Sequence, residues 1–525
     1  MKKRLVALAV VAVLAVGCLA GCGGKEVVNT GDNTLSYWCA IPNNAATHMS
    51  DLNGMLMYQQ REKDTGIHIE FIHPSAASYN EQFNLMIASR ELPDLIEHSW
   101  ASYAGGPQKA IDDGIIIPIN DLLDKYAPNL KAMYSQDTQL SKNHNKGSMT
   151  DEGNYIGFPA MNIGDARVFG GPMIRQDWLD ELGLEAPKTV DEWTEVLRAF
   201  KEKKGATAAF SATADYFAGN TNSFNGAFGV GKKLYMDGDT VKYGPLEPGY
   251  KEFLALMNSW YKEGLLDRDF ASNNRTMVDS QIVNGNAGAT LNTLGAGMGV
   301  YLNQMATKDP SFNFVGIEYP VKEEGMENYF RLSEADLTGM FAAITTACDT
   351  PEMAAQWMDF WYGEEGYNLL NFGVEGDTYN MIDGYPTYTD KIVNNPDGLS
   401  ISEALGKVGR AAQAAPGQRQ APEYLDQYYE YPQQKEAYKL WTEGTDYVMA
   451  TRIPNTLYPS SEEADELAVI QSDMNVYVEE MITKFITGAE SLDNYDKFIE
   501  TLKKTFRVER LIEIEQNMYD RYKDR

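Results

Sequence analysis

The sequence predicts an α/β protein with more than one domain and at least one parallel sheet. Segments typical of strands and of helices alternate between residues 35 and 100, which is the rhythm of a parallel sheet with helical crossovers. The chain has 525 residues, and this length exceeds what a single hydrophobic core normally holds. We therefore expect two domains or more.

The individual elements follow from apolar periodicity and from the residues that cap helices. In the first part, we predict strands at 35–40, 67–72 and from 92 towards Trp100, with helices at 51–65, closed by Gly66, and at 80–90. Further on, we predict extended segments at 155–159 and 171–175, helices at 191–203 (capped by Thr189), 250–264 and 351–362, a hairpin at 233–243, a strand at 313–320 that returns to the first domain, and mostly helix from 462.

The strand order indicates where a ligand would bind. In parallel sheets, ligands bind in the loops beyond the carboxyl ends of the strands. Asn43 and Asn44 follow the first predicted strand, and Trp100 and Tyr103 follow the third. These four residues are candidate ligand contacts. An indole in a solvent-side loop favours stacking on a ligand, and the alternative for Trp100 is packing in the core.

The first residues have the layout of an export signal. Lys2, Lys3 and Arg4 precede an apolar run that is too short to span a bilayer. Residues 19–22 (LAGC) resemble a bacterial lipobox, which implies cleavage before Cys22 and a diacylglycerol on its sulfur. Cys18 is a weaker second candidate. We therefore expect a signal peptide at 1–21 and a Gly-rich tether at 22–33 outside the fold.

Composition excludes several classes of partner. The chain carries a net charge of −30, and removal of the three basic residues of the leader leaves 42 basic and 75 acidic residues, a charge of −33. A polyanion of this size repels nucleic acids and anionic lipid headgroups. Beyond the leader only Cys39 and Cys348 remain. They could form a disulfide, but we favour two separate thiols.

Motifs for cofactors and catalysis are absent or incomplete. Residues 226–233 (GAFGVGKK) differ from a phosphate-binding loop because Lys233 stands where a hydroxyl holds Mg²⁺. The five histidines do not form a zinc-binding pattern, and no G-x-S-x-G elbow is present. We expect no cofactor and no metal. Paired carboxylates for glycoside cleavage cannot be recognised from the sequence, because that pairing is spatial.

Several stretches together resemble the family 1 extracellular solute-binding proteins, in the long lipoprotein branch of Gram-positive bacteria. They are 92–94 (LPD) with Trp100, 174–179 (IRQDWL), 182–184 (LGL), 188–193 (KTVDEW), 260–267 (WYKEGLLD), 373–376 (GVEG) with Tyr379, and 519–522 (YDRY). The resemblance implies a two-domain periplasmic-binding-protein-like fold with hinge strands and helical C-terminal additions. It also implies a monomer, lipid-anchored on the outer face of the cell membrane, that passes an oligosaccharide to the transmembrane subunits of an ABC permease.

The resemblance also suggests domain boundaries. We expect an N-terminal lobe from 34–158 with about 335–375, and a C-terminal lobe from 159–334 with about 376–525. Some relatives carry a calcium loop after the helix that ends here near Lys203. Residues 203–209 (KKGATAA) contain no carboxylate, so calcium cannot bind there in that way.

Four further residues are candidate contacts for such a solute. Arg175 and Asp177 follow a predicted hinge strand and could hydrogen-bond sugar hydroxyls or pair with each other. Trp178 packs in a helix or contacts the solute. Glu375 lies in a loop bounded by glycines, where its carboxylate could meet vicinal hydroxyls or cap a helix.

The leading hypothesis is therefore an oligosaccharide-binding subunit of an importer. The alternatives are a binding protein for a non-sugar solute such as a peptide, and a lipid-anchored glycosidase or lyase.

Overall fold

We analysed a computed structural model of the chain, which describes residues 33–46, 48–163, 168–218 and 223–525. The predicted signal peptide, Cys22 and nearly all of the tether lie outside the described residues. No helix in these ranges combines the length and the apolar character needed to cross a bilayer.

The strands belong to one large sheet, one small sheet and two hairpins. They are β1 (Thr34–Trp38), β2 (His68–Ile72), β3 (Leu95–Ser99), β4 (Phe158–Asn162), β5 (Val168–Arg175), β6 (Leu234–Asp237), β7 (Thr240–Tyr243), β8 (Ala289–Thr293), β9 (Phe314–Gly316), β10 (Leu332–Ser333), β11 (Leu337–Ile344), β12 (Tyr379–Ile382), β13 (Tyr385–Tyr388) and β14 (Gly417–Arg419).

The large sheet has the order β14-β4-β11-β3-β1-β2. β1 is parallel to β2 and β3, which confirms the predicted parallel arrangement, and β14 is parallel to β4. Only β11 runs in the opposite direction, because it is antiparallel to both β3 and β4. The carboxyl ends of the other five strands therefore lie along one edge, where Asn162 and Arg419 are the last residues of β4 and β14.

The small sheet is built around β5, which is antiparallel to β8, β9 and β10. The prediction that residues 313–320 return to the first domain is wrong. β9 pairs with the far end of β5, where Ile174 lies opposite Val315. The return to the large sheet is made instead by β11, after β10.

Helices surround both sheets. They are Asn43–Ala46, Leu56–Thr65, Tyr79–Ser89, Gly106–Asp112, Asn120–Tyr126, Pro128–Tyr134, Gln139–Gly147, Gln176–Leu182, Val190–Lys203, Asp215–Ala218, Pro248–Glu263, Arg275–Val283, Val300–Met305, Pro351–Asp359, Glu364–Asn371, Asp390–Val393, Ile401–Val408, Pro422–Tyr428, Pro432–Thr442, Thr445–Ala450, Ser461–Thr487, Tyr495–Lys504 and Val508–Asp524.

Local sequence signals explain several of these boundaries. Thr189 caps the helix Val190–Lys203 as predicted, and Glu192 completes a capping box with it. Gly66 ends the helix Leu56–Thr65 in the left-handed conformation, with φ of 69°. Cys39 and Cys348 are free thiols, the first buried and the second half-buried.

Three connections join the large sheet to the small one. The first leads from β4 to β5, the second from β10 to β11, and the third leaves β14 towards the helix Pro432–Thr442, which packs on β5 and β9. One hydrophobic core surrounds the large sheet and another packs the C-terminal helices against the helices beside the small sheet. A third core contains residues of β5 together with residues between 372 and 448.

Candidate functional site

The three connections converge on a cavity of about 180 Å³, here called the cleft cavity. Its wall includes Asn162 at the end of β4, Val168 at the start of β5 and Glu334 between β10 and β11. Gln420, directly after β14, also lines it and has a φ of 55°, which is rare outside glycine. Residues from both sheets therefore face one space at the edge where the large sheet presents its strand ends.

The carboxylate of Glu334 links all three connections. Arg419 Nη1 donates to Glu334 Oε2 at 3.1 Å and to Asn162 Oδ1 at 2.6 Å. Asn162 Nδ2 in turn donates to Glu334 Oε2 at 3.2 Å and to the carbonyl of Ala335 at 2.7 Å. The guanidinium of Arg419 is buried, whereas about a third of the Glu334 side chain stays exposed. Glu334 therefore retains acceptor capacity towards the cavity.

Tyrosine rings form another part of the wall. Tyr424 and Tyr428 are stacked with centroids 5.6 Å apart, Tyr428 meets Tyr429 edge-on at 5.6 Å, and Tyr429 lies 5.4 Å from Tyr438. All four line the cleft cavity. The close approach depends on Gly295, because a Cβ there would stand 2.7 Å from the ring of Tyr428. Aromatic rings that share a cavity with a carboxylate and an amide form a surface suited to sugars.

One polar atom beside this cavity lacks a protein partner. Among the described residues, nothing hydrogen-bonds to the buried hydroxyl of Thr293, which lines the cleft cavity at the end of β8. Since buried polar groups are normally paired, this hydroxyl is consistent with a site completed by a ligand or water.

The predicted contact at Trp100 is wrong, because its side chain is fully buried. It lies in a short 3₁₀ turn, Trp100–Ser102, and its indole nitrogen donates to the carbonyl of Phe341 in β11 at 3.2 Å. Phe83 and His98 meet the ring edge-on. The loop position that suggested exposure is covered by the helix Tyr79–Ser89, so Trp100 belongs to the core of the large sheet.

Tyr103 is half-buried and packs 6.4 Å from Trp100. Its hydroxyl donates to Asp113 Oδ2 at 2.9 Å. Burial and the hydrogen bond to this carboxylate raise the pKa of Tyr103 to about 12. Tyr103 is not among the residues that line the cleft cavity.

The structure resolves the two alternatives for Arg175 and Asp177, because these residues pair with each other. Arg175 Nε donates to Asp177 Oδ1 at 2.8 Å, and both side chains are almost fully buried. The guanidinium lies between the rings of Trp178 and Phe312, at 4.6 and 4.4 Å. Arg175 is the last residue of β5, seven residues beyond Val168. At about 3.3 Å per residue this is roughly 23 Å along the strand, so the cluster lies away from the cleft cavity.

The remaining predicted residues differ in their distance from the site. Asn44 Nδ2 donates to the carbonyl of Ser402, and Tyr428 of the cleft cavity donates to the hydroxyl of the same serine. Asn44 also shares a crevice with Tyr424, so the structure brings it to the border of the cavity. Asn43 is exposed beside it. Glu375 is exposed in its loop, pairs through its backbone with Tyr379, and does not line the cavity.

Sequence reasoning missed the tyrosine wall and the group around Glu334. A signal for the wall is present, since residues 424–438 contain five of the 31 tyrosines of the chain. Asn162, Glu334 and Arg419 carry no comparable signal. They are about 170 and 85 residues apart, and only the pairing of β14 with β4 and β4 with β11 brings them together.

The structure offers no obvious metal centre within the ranges it describes, where no three His, Cys, Asp or Glu side chains are grouped for one. After the helix Val190–Lys203 the chain turns at Gly205 with φ of 71°, and Ala206 N donates back to the carbonyl of Phe200. This turn presents backbone and alanines, and its composition does not supply the carboxylates that calcium prefers.

Comparison with known proteins decides the family. Residues 46–368, more than half of the chain, match the family described as bacterial extracellular solute-binding protein. The chain belongs to this family. The predicted family is thereby confirmed, and so is the role of a binding protein rather than an enzyme.

Two curated relatives of this solute-binding protein span nearly its whole length. The fructooligosaccharide ABC transporter substrate-binding protein FusA of Streptococcus pneumoniae is 26% identical, with 98% of this chain and 97% of FusA covered. The polygalacturonan/rhamnogalacturonan-binding protein YtcQ of Bacillus subtilis is 24% identical, with 94% of each chain covered.

Solved structures show the same fold. The alginate-binding protein AlgQ2, in a structure without calcium ion, has a TM-score of 0.73 at 23% identity and covers 94% of this chain and 100% of its own. The complex of S. pneumoniae FusA with kestose has a TM-score of 0.71 at 22% identity, covering 94% and 99%. The predicted two-domain fold of solute-binding proteins is therefore confirmed.

Proposed function

We propose that this solute-binding protein captures an oligosaccharide in the cleft cavity and delivers it to the transmembrane subunits of an ABC importer. The observation that carries the proposal is the pairing of the tyrosine wall, Tyr424 to Tyr438, with the hydrogen-bonding group of Asn162, Glu334 and Arg419. Sugar rings have apolar faces that stack on aromatic rings and hydroxyl edges that bond to carboxylates, amides and guanidinium groups. Of the curated relatives, FusA is named for fructooligosaccharides and YtcQ for polygalacturonan and rhamnogalacturonan.

The size of the cavity bears on how a longer solute binds. About 180 Å³ is smaller than the roughly 300–1,000 Å³ of typical ligand pockets. Since all three connections between the sheets line it, a small rotation about them widens or narrows it. We infer hinge closure over the solute, with two lobes close to 34–158 plus about 335–375 and 159–334 plus about 376–525. Asn44 extends the contact surface beyond Tyr424.

The location of the protein forms the second part of the proposal. The family is extracellular, and the stretch LAGC at 19–22 supports cleavage before Cys22 and lipid attachment to it. Two or three acyl chains give stable membrane attachment. The mature protein then stands as a monomer on a tether of about ten residues at the outer face of the cell membrane.

A ligand panel tests the choice of solute. We expect thermal-shift measurements to show stabilisation by one class of oligosaccharide, because a ligand that binds only the folded state raises the melting temperature. Neutral fructooligosaccharides, acidic galacturonides and short peptides form the three arms. Stabilisation by peptides alone would contradict the oligosaccharide hypothesis and favour a binding protein for peptides.

A matched pair of variants tests the choice of site. Tyr428→Ala removes the central ring of the tyrosine wall, and Tyr447→Ala removes a tyrosine that is 64% exposed elsewhere. Truncation of a buried aromatic anchor commonly costs about 2 kcal/mol or more, roughly thirtyfold in Kd. We expect that loss by calorimetric titration for Tyr428→Ala only. Equal affinity in both variants would exclude the cleft cavity as the site.

A further inference from the structure

Two arginines at the end of the helix Val508–Asp524, here called the last helix, reach a distant part of the chain. Arg521 Nε donates to Asp151 Oδ2 at 2.6 Å, and Arg525 Nε donates to Asp151 Oδ1 at 2.8 Å. Arg525 Nη1 also donates to the carbonyl of Met149 at 2.9 Å. Each oxygen of the Asp151 carboxylate therefore accepts from a guanidinium group. We call Asp151, Arg521 and Arg525 the arginine clasp.

The clasp joins two different hydrophobic cores. Asp151 precedes β4, and Ile156, which lies between them, is buried in the core around the large sheet. The last helix packs instead into the core of the C-terminal helices, through Leu511, Ile514 and Met518. A change in the orientation of one core relative to the other therefore changes the distances within the clasp.

Glu463 fixes Arg521 to the core of the C-terminal helices. Its carboxylate accepts from Arg521 Nη2 at 2.6 Å and from Nη1 at 3.0 Å. Glu463 lies in the first turn of the helix Ser461–Thr487, which packs against the last helix. The guanidinium of Arg521 thus bridges Glu463 on one side and Asp151 on the other. Charge-assisted hydrogen bonds of this kind are about twice as strong as neutral ones.

The last helix lies behind the connection between β10 and β11, on the side away from the cleft cavity. Glu334 of this connection lines the cleft cavity. The preceding residue, Ser333, lines a cavity of about 410 Å³ together with Leu511. The following residue, Ala335, lines a cavity of about 210 Å³ together with Tyr522. Both neighbours of Glu334 therefore face the last helix, as expected for a segment whose successive side chains alternate in direction.

We propose that the arginine clasp opposes closure of the cleft cavity and thereby sets the affinity for the solute. This inference rests on the hinge closure proposed above. A rotation that narrows the cleft on one side of the connection moves groups on its other side apart, so closure lengthens the bonds of Asp151 to the two arginines. The clasp therefore favours the open arrangement of the solute-free protein.

Arg521 and Asp151 act through the hinge, because neither is among the residues that line the cleft cavity. The apparent affinity for a solute falls with the fraction of the protein that has the binding-competent conformation. A contact that lowers this fraction weakens binding without touching the solute. Removal of the clasp should then strengthen binding, which is the opposite of what loss of a solute contact or of stability would do.

Small-angle scattering of the solute-free protein tests the clasp without any solute. Asp151→Asn removes the charge at the centre of the clasp. Asp137→Asn is the matched control, because Asp137 pairs with Lys142 at 2.7 Å on the large-sheet side alone. We expect a smaller radius of gyration for Asp151→Asn than for the wild type and the control, since its cleft is closed for more of the time. An unchanged radius in Asp151→Asn would overturn the proposal.

A second pair of variants is available if circular dichroism shows that Asp151→Asn does not fold. Arg521→Gln breaks the same contact from the other side. Arg510→Gln is its control on the last helix, because Arg510 pairs with Glu466 and Glu513 within one core. The same difference in radius is expected between these two variants, and equal radii would again overturn the proposal.

Calorimetric titration with the best solute of the ligand panel measures the effect on affinity. We expect Asp151→Asn to bind that solute up to about tenfold more tightly than the wild type, and Asp137→Asn to bind it with unchanged affinity. Unchanged or weaker binding by Asp151→Asn would contradict the clasp, and so would an equal gain in the control, which would assign the effect to net charge. If no solute of the panel binds the wild type, the proposed function fails, and the scattering measurement still decides whether the clasp opposes closure.

Discussion

Arg410 and Glu97 form a fully buried ion pair between two distant parts of the chain. Arg410 Nη2 donates to Glu97 Oε1 at 2.6 Å and Nη1 donates to Oε2 at 2.9 Å. Tyr37 adds a hydrogen bond to the same carboxylate at 2.7 Å. Glu97 lies in β3, and Arg410 directly precedes Ala411 and Ala412, which border the tyrosine wall. The pair therefore fixes one wall of the cleft cavity to the large sheet.

We expect Glu97→Gln to destabilise the protein strongly. The substitution keeps the shape of the side chain but leaves the buried guanidinium of Arg410 without a counter-charge, which typically costs about 3–5 kcal/mol. Denaturant unfolding measures this loss. Glu70→Gln, on the exposed side of the edge strand β2, is the matched control and should have no effect. Equal unfolding midpoints for the two variants would show that the pair contributes no stability.

Trp100→Ala should also destabilise the fold rather than remove a ligand contact. The indole is fully buried and its nitrogen is bonded to Phe341, and truncation of such a residue costs about 3–5 kcal/mol. Trp100→Phe retains most of the ring packing and should recover part of the loss. Calorimetry of unfolding and of solute binding separates the two roles. A variant with normal stability and weakened binding would restore Trp100 to the solute site.

Asn44 and Trp100 show how far the sequence predicts this site. Alternation of strands and helices predicts β1, β2 and β3 because that pattern depends on neighbouring residues. It also places Asn44 near the site, because a strand end is a local feature. Whether the loop residue Trp100 faces solvent depends on the helix Tyr79–Ser89 that covers it, and the sequence around Trp100 holds no information on that packing.

Sequence patterns do not predict the hydrogen-bonding group of the cleft cavity, for a different reason. Asn162, Glu334 and Arg419 lie on three separate connections and meet only because β14 and β11 flank β4. Antiparallel and parallel pairings over such separations carry no spacing rule. The pairing of Arg175 with Asp177, in contrast, is one of two alternatives that the sequence itself indicates, because the residues are two positions apart.

We expect Glu515→Gln to change how stability depends on pH. Because burial raises the pKa of Glu515 from 4.5 to about 7, the folded protein binds a proton that the unfolded chain has released between these values. Stability is therefore intact below pH 4.5 and is lost as the pH rises through 7, by roughly 3 kcal/mol in total. The variant lacks this loss, so its melting temperature should exceed that of the wild type at pH 8.5 and match it at pH 4.5.

The exposed Glu509 on the same helix provides the control for that measurement. Glu509→Gln removes the same charge from an exposed position instead of a buried one. The pH dependence of its melting temperature should therefore follow that of the wild type. If both variants raise the melting temperature at pH 8.5 by the same amount, the effect belongs to net charge and not to the burial of Glu515.

Cys22→Ser tests the proposed anchor. Acylation of Cys22 requires its sulfur, so the variant should either be released from the membrane fraction into the culture supernatant or remain as an unprocessed precursor. Cell fractionation and mass spectrometry of the N-terminus measure both outcomes. Cys18→Ser is the control and should remain processed and acylated. Acylated Cys22→Ser protein together with unacylated Cys18→Ser protein would move the anchor to Cys18.

The last prediction concerns Glu334, which lines the cleft cavity and also links the three connections. Glu334→Gln keeps a hydrogen-bond acceptor for Arg419 but removes the charge that the buried guanidinium faces at 3.1 Å. A charge-assisted hydrogen bond to a solute hydroxyl is worth about 1.5–3 kcal/mol, so its loss lowers the affinity for the solute by roughly ten- to a hundredfold.

Titration of the Glu334→Gln variant with the best solute from the ligand panel gives the affinity, and small-angle scattering with and without that solute reports closure. If Glu334 only contacts solute, the variant at saturating solute closes like the wild type. Because Glu334 also joins Asn162 to Arg419, we expect the saturated variant to remain partly open.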